Sequence, residues 1–250
     1  MKNLFAYINF FFYHAVNWNL PLAWFLLYHT VRGEKKYGIR TFRDAELDNY
    51  TIKKGDTTKS SRYEAVNYFI LEKLLENFRN SFPEEKKILD AGCGKGRVLV
   101  TAAHYGFTNL TGVDFAKELC EEAESNMQKT KSKFTAIAYK IIWNDILNYD
   151  IPNDENVFFL FNPFDREVLE KFVARIDASV KQFPRTVYFL YASPKHLEVL
   201  EENNYTVVYN IKKMKWLEGV IAVKKWPGNQ ESGVRSQESG VGNPPAEASR

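Results

Sequence analysis

Apolar residues recur in this chain with two different periods. Between residues 86 and 192, short apolar runs at 87–90, 110–114, 136–143, 157–161 and 186–192 alternate with amphipathic stretches. The stretch between the second and third runs sets Ala116, Cys120, Ala123 and Met127 on one helical face. Another, after Asp165, does the same with Val168, Phe172, Ile176 and Val180. Upstream, Val66, Ile70, Leu74 and Phe78 predict a helix running to about residue 80, and Ser61-Arg62-Tyr63-Glu64 has the pattern of a capping box at its start. Short buried strands joined by helices imply right-handed crossovers and a parallel sheet covered on both faces. The last two strand-like runs, 205–212 and 219–225, have no helix between them and predict an antiparallel hairpin closing one edge. The expected fold class is α/β: a Rossmann-like, doubly wound sheet, mostly parallel, with a C-terminal antiparallel hairpin.

Residues 1–31 read differently. Lys2 is their one charged side chain, and they hold ten of the 38 aromatic residues (5 Trp, 14 Tyr and 19 Phe). Apolar stretches at 4–16 and 20–28 are divided by Asn17, Trp18 and Asn19, so neither has the about 18–20 apolar residues that a bilayer span requires. The basic start and small-residue cleavage site of a signal peptide are not found. The expectation is an aromatic N-terminal helical region whose faces pack on the main domain or a second subunit, with shallow membrane-surface contact as the alternative. Residues 32–60 are polar and lysine-rich and read as a solvated connector or a substrate-facing flap. Residues 61–226 read as one catalytic-type domain. Residues 227–250, with Gln-Glu-Ser-Gly-Val twice, are too poor in apolar side chains to offset the entropy of ordering and read as a disordered tail.

Composition changes this picture only by exclusion. With 45% apolar and 26% charged residues, a wholly disordered or collagen-like chain is excluded. A net charge of +3 implies no polyanionic partner by itself. Cys93 and Cys120 make no disulfide framework, and His14, His29, His104 and His196 lack metal-ligand spacing. A cytoplasmic protein without a metal, peripheral to a membrane at most, is expected.

The candidate chemistry lies in Asp90-Ala91-Gly92-Cys93-Gly94-Lys95-Gly96-Arg97, where the first strand gives way to the first following helix. Alternate glycines let the backbone turn sharply and approach a ligand beyond the strand's carboxyl end. A nicotinamide-cofactor loop would be G-x-G-x-x-G, but here the third glycine comes one position early and Arg97 fills the slot. A P-loop is excluded, since no G-K-[ST] is present. A tight turn with no ligand is the plain structural alternative. Asp114, ending the second strand 24 residues after Asp90, could accept from both hydroxyls of a ribose.

At these residues the chain resembles the class I S-adenosylmethionine-dependent methyltransferases, whose loop runs acidic-x-G-x-G-x-G on a seven-strand sheet. The resemblance covers roughly residues 63–225. It implies S-adenosylmethionine as cofactor, bound by Asp90, Ala91, Gly92, Cys93, Gly94, Gly96, Asp114, Phe115, Asp145, Ile146 and Asn162. Of these, Asp114 would take the ribose, Asp145 the adenine amine and Ile146 the adenine ring; a turn or N-cap role is the alternative for Asp145. Asn162-Pro163-Phe164, after the fourth strand, is similar to the [DNS]-P-P-[YFW] motif of methyltransferases acting on nitrogen, with one proline in place of two. It implies that Asn162 orients the acceptor while Pro163 and Phe164 wall the site; a strand-end turn is the alternative. Tyr63 or Tyr68 could bring a hydroxyl near the cofactor or simply pack.

The acceptor is left open as a protein side chain, nucleic acid or small amine. Lys212, Lys213, Lys215, Lys224 and Lys225 make the final hairpin basic, which suits nucleic acid or plain edge protection. The glycine loop behind a hydrophobic N-terminal region also resembles a subset of protein-lysine methyltransferases. Two other classes remain: a catalytically silent cofactor-binding scaffold and a nicotinamide-dependent oxidoreductase.

Overall fold

Seven strands form a single sheet in the computed structural model, which describes residues 2–42, 64–161 and 164–226. They are β1 (Lys87–Ala91), β2 (Asn109–Asp114), β3 (Ala138–Trp143), β4 (Val157–Phe161), β5 (Val187–Ala192), β6 (Thr206–Lys213) and β7 (Leu217–Lys224). The order across the sheet is β3-β2-β1-β4-β5-β7-β6. The first five are mutually parallel, and β7 lies antiparallel between β5 and β6, so the expected hairpin closes the edge. Predicted and observed strands agree to within two residues at each end.

Helices cover both faces. One carries α3 (Tyr68–Ser81), α4 (Arg97–His104) and α5 (Lys117–Lys131); the other carries α6 (Arg166–Gln182) and the short α7 (Leu197–Glu202). Alternation along β1 explains why two cores result. Ile88 joins the α3–α4 core, whereas Leu89 and Ala91 join the α6–α7 core. Asp90 shares the Ile88 face, so a carboxyl group is carried into the first core. The faces read from the sequence are those buried: Ile70, Leu74 and Phe78 on α3, Cys120, Ala123 and Met127 on α5, and Phe172, Ile176 and Val180 on α6.

Two boundaries differ from expectation, the start of α3 and the end of α2. Helix α3 begins at Tyr68, where the Asn67 side chain accepts from Phe69 N at 2.9 Å. Glu64 precedes it in irregular backbone, so the capping box does not start this helix; Ser61 lies outside the described residues. Residues 1–31 give two helices, α1 (Lys2–Asn17) and α2 (Leu20–Tyr37), split where Asn19 accepts from Leu22 N at 2.8 Å. Helix α2 runs on to Tyr37 and ends at Gly38 in a left-handed conformation, so the segment taken as connector is helical at its start. Helix α7 had no periodic signal in six residues.

The helical pair docks on α3 at Gly33, where an added Cβ would lie 2.2 Å from the Tyr68 ring. Only glycine permits that approach of backbone to ring. Beside it, buried Glu72 of α3 accepts from Arg32, Lys36 and the Tyr37 hydroxyl of α2 at 2.8, 2.9 and 2.7 Å. Among the described residues no helix is long and apolar enough to cross a membrane.

Candidate cofactor and active site

The strand register decides which loops meet. Ala91 at the end of β1 pairs with Val113 of β2 and Leu160 of β4, and Asp114 pairs with Trp143 of β3. The carboxyl ends of β3, β2, β1 and β4 therefore form one edge. They deliver Asp145, Asp114, the glycine loop and Phe161 at the end of β4 to the same rim. Connections from β1 and β4 leave in opposite directions across the sheet, which opens a crevice between them.

Backbone bonds fold the glycine loop over the end of β2. Gly92 N and Cys93 N both donate to Val113 O, at 2.8 and 3.1 Å, and Gly94 N donates to Asp114 Oδ2 at 2.8 Å. Gly92, Gly94 and Gly96 all have positive φ. At Gly96 the space is also closed, since an added Cβ would lie 3.3 Å from Ala123 of α5. The opposite oxygen of Asp114 accepts from Ala116 N at 2.9 Å. Burial still dominates these bonds and pushes the Asp114 carboxyl up to about 6. Asp90 is 2% exposed and its Oδ2 has no hydrogen-bond partner. Burial, then the neighbouring Asp114 charge, pushes its carboxyl well above the usual carboxylate range. Cys93 and Cys120 are buried beside these acids, and burial pushes both thiols up, so neither is an activated nucleophile.

Asp145 stands at the far side of the same rim. Its Oδ1 accepts from Leu147 N at 2.8 Å, the N-cap bond of a 3-10 turn at Ile146–Asn148. Asn144 N donates to Asp114 O at 2.9 Å and Trp143 Nε1 to Phe115 O at 2.9 Å, which ties the ends of β2 and β3 together. Ile146 is buried in the α6–α7 core. Phe164 is half-buried with its ring 5.9 Å from that of Phe172. Asn162 and Pro163 lie outside the described residues, as does Tyr63. Tyr68 is a packed aromatic, fully buried with the Arg97 guanidinium 4.3 Å from its ring centroid.

Arg97 has a part that reading the loop did not reveal. Its Nε donates to Thr41 Oγ1 at 2.6 Å, Nη1 donates to Val66 O at 2.7 Å, and Nη2 lies 3.8 Å from Glu34 Oε1. Glu34, also buried, accepts from Thr41 N, Phe42 N and the Tyr7 hydroxyl at 2.7, 2.6 and 2.6 Å. The first residue of α4 thus anchors the end of the N-terminal helical pair. One signal was available: Glu34 is the only acid in residues 1–43, where solvated helices usually mix both signs. Lys95 and Asn126 form a smaller support, with Asn126 Nδ2 donating to Lys95 O at 2.9 Å.

A buried acceptor without a partner, a glycine cradle at the β1–β2 junction and a second carboxylate on the same rim define a nucleotide-binding α/β domain. The Asp90 oxygen in particular is a group that a bound cation or donor would satisfy, so the residues fit a sulfonium cofactor. Residues 88–182 match the family described as "Methyltransferase domain". Over 93 residues the chain is 33% identical to EEF1A lysine methyltransferase 2 of Danio rerio, a match that takes in 35% of this chain and spans about 40% of the relative's length. Among solved structures, it is similar in fold to an assigned RNA methyltransferase of Pyrococcus horikoshii, with TM-score 0.50, 15% identity, and 72% and 95% of the two chains covered. A small RNA methyltransferase gives TM-score 0.51 at 15% identity, covering 70% of this chain and 28% of that one. Residues 88–182 thus carry a methyltransferase domain, and the glycine cradle beside the unpartnered Asp90 oxygen fits S-adenosylmethionine as its cofactor.

Proposed function

We propose that this protein transfers a methyl group from S-adenosylmethionine to an acceptor nitrogen by in-line displacement. The carrying observation is the junction of β1 and β2, where Asp90, the glycine loop and Asp114 converge beside the β1–β4 crevice. When bound, the cofactor supplies a methyl carbon activated by its sulfonium. The chain's own work is positioning, which can be worth up to about 7–11 kcal/mol for a well-aligned pair. In this reading Asp90 and the backbone of Ala91, Gly92, Cys93, Gly94 and Gly96 hold the methionine moiety. Asp114 and Phe115 take the ribose, and Asp145 and Ile146 the adenine; the N-cap bond of Asp145 occupies one of its oxygens. Asn162 would accept from the acceptor N–H, with Pro163 and Phe164 walling the site.

A protein lysine is the acceptor best supported, because the curated relative is a lysine methyltransferase. The hairpin lysines give nucleic acid less support than their number suggests. Lys224 turns to Asp177 at 2.8 Å, and Lys212 pairs with Glu218 at 3.0 Å. The same reading makes 61–226 the catalytic domain and the aromatic pair at its front a docking face.

Thermal shift separates this reading from the others. S-adenosylhomocysteine at 100 times its dissociation constant should add about 2.7 kcal/mol of stability and NAD nothing; the reverse result would overturn the proposal. If that holds, labelled-methyl transfer into protein fractions should disappear in Asn162→Ala while the thermal shift persists. Binding without transfer into protein, RNA or small-molecule fractions would instead mean a silent scaffold.

A further inference from the structure

Ten of the thirteen exposed large apolar side chains among the described residues lie on α1, α2 and the turn between them. On α2, Leu20, Trp24, Tyr28 and Val31 follow one another at helical spacing, and Lys35 continues the row one turn on. On α1, Phe5, Ile8, Phe12 and Val16 make a second exposed row. Contacts between Phe11 and Trp24 at 4.8 Å, and between Phe11 and Phe12 at 5.7 Å, join the two rows. The inner face of α2 is already used, with Leu22, Ala23 and Leu26 buried and Phe25 packed on Phe69 of α3. The outer face is therefore surplus to folding. Phe12, Trp24 and Tyr28 are 60%, 59% and 62% exposed, far beyond the scattered apolar exposure of an ordinary surface.

Charge says what covers it. The Tyr7–Glu34 bond shows that the helices run antiparallel, which brings the start of α1 to the end of α2. Arg32, Lys35, Lys36 and Arg40 thus lie toward one end of the aromatic face. Glu34, the only acid in residues 2–42, is buried and turned inward. Arg32 and Lys36 are engaged with Glu72, leaving Lys35 and Arg40 exposed with no acid of these helices to meet them. A second copy docking through the same helices would bring those cations no exposed acid of its own α1 or α2. Indole and phenol rings with basic residues at their border suit the headgroup region of an anionic bilayer. We infer that α1 and α2 dock this protein on an anionic lipid surface, lying in the interface without crossing it. The inference deepens the docking-face reading above and is independent of the chemistry at the glycine loop.

Co-sedimentation of the full chain with vesicles of phosphatidylcholine alone, and of phosphatidylcholine and phosphatidylglycerol in equal parts, tests it. Binding should favour the anionic vesicles and blue-shift tryptophan emission, as Trp18 and Trp24 leave water. It should also weaken as salt rises from about 0.1 M to about 1 M, which shortens the screening length from about 10 Å to about 3 Å. The triple variant Phe12→Ser, Trp24→Ser, Tyr28→Ser should partition about tenfold or more weakly, since partitioning scales with buried apolar area. These residues point away from the core, so the variant should keep the wild-type thermal shift with S-adenosylhomocysteine. No binding to anionic vesicles would overturn the inference. So would a dimer in light scattering that the same variant converts to monomer, because a second copy would then cover the face.

Discussion

Asp114 shows how one side chain is set by competing terms. Backbone N–H groups of Ala116, Gly94 and Phe115 favour its ionised form, and burial opposes them strongly enough to leave the carboxyl at about 6. Ribose hydroxyls would donate to the ionised form. Affinity for S-adenosylhomocysteine should therefore fall as pH drops through about 6 and level off above it. Calorimetric titration at several pH values checks this, and a flat profile would remove Asp114 from the ribose site. Asp114→Asn should weaken binding by about 1.5–3 kcal/mol, the usual worth of hydrogen bonds to a charged group. Asp90 and Asp114 were legible in the sequence because loop motif and strand end are local features. Arg97 was visible only as the residue that spoils a nicotinamide motif. Its partners Thr41 and Val66 stand 56 and 31 residues away.

Helix α2 depends on such distant partners. Its first half is held by apolar contact, but its second half is held by two buried carboxylates, its own Glu34 and Glu72 of α3. Each serves several donors, and removing one member of such a group leaves the others desolvated and underpaired. Arg97→Met should thus destabilise the protein by about 3–5 kcal/mol, because it strips Glu34 of its guanidinium and Thr41 and Val66 of a donor. Limited proteolysis should then release residues 1–42 before the sheet domain is cut. A variant that melts and is cleaved like wild type would show that the helical pair is anchored elsewhere. The helical period announced α1 and most of α2, and the polar run after Val31 hid the rest. Arg32, Lys36 and Glu34 look solvated in sequence and are paired in the fold.

For the whole molecule, the two ends of the sheet differ. The carboxyl end carries the candidate site, and the amino end of β4 carries Glu155, 4% exposed, with Oε1 unpartnered. Burial pushes its carboxyl from 4.5 up to about 7, against the pull of Lys87. The folded protein therefore keeps a proton that the unfolded chain has lost, so this group's contribution to stability is fully present below about 4.5 and declines as pH rises to about 7. Glu155→Gln should match wild type near pH 5 and exceed it by about 2–3 kcal/mol near pH 8, read from urea melts. Its S-adenosylhomocysteine affinity should not change, because the sheet separates the two ends. An advantage that is the same at both pH values would mean that Glu155 is ionised in the folded protein.

Local pattern was enough for the succession of strands and helices, the C-terminal hairpin and the glycine loop at the end of β1. Side-chain period and glycine spacing act over a few residues, so they survive in a bare sequence. Tertiary structure alone decided that β7 lies between β5 and β6, that Arg97 meets Glu34, and which aromatic face of the N-terminal pair is covered. Both faces of those helices are apolar, so their period could not rank them. The choice fell to Gly33 and Glu72, which hold one face against α3, and to Glu34, which meets Arg97 of α4; the other face is left turned outward.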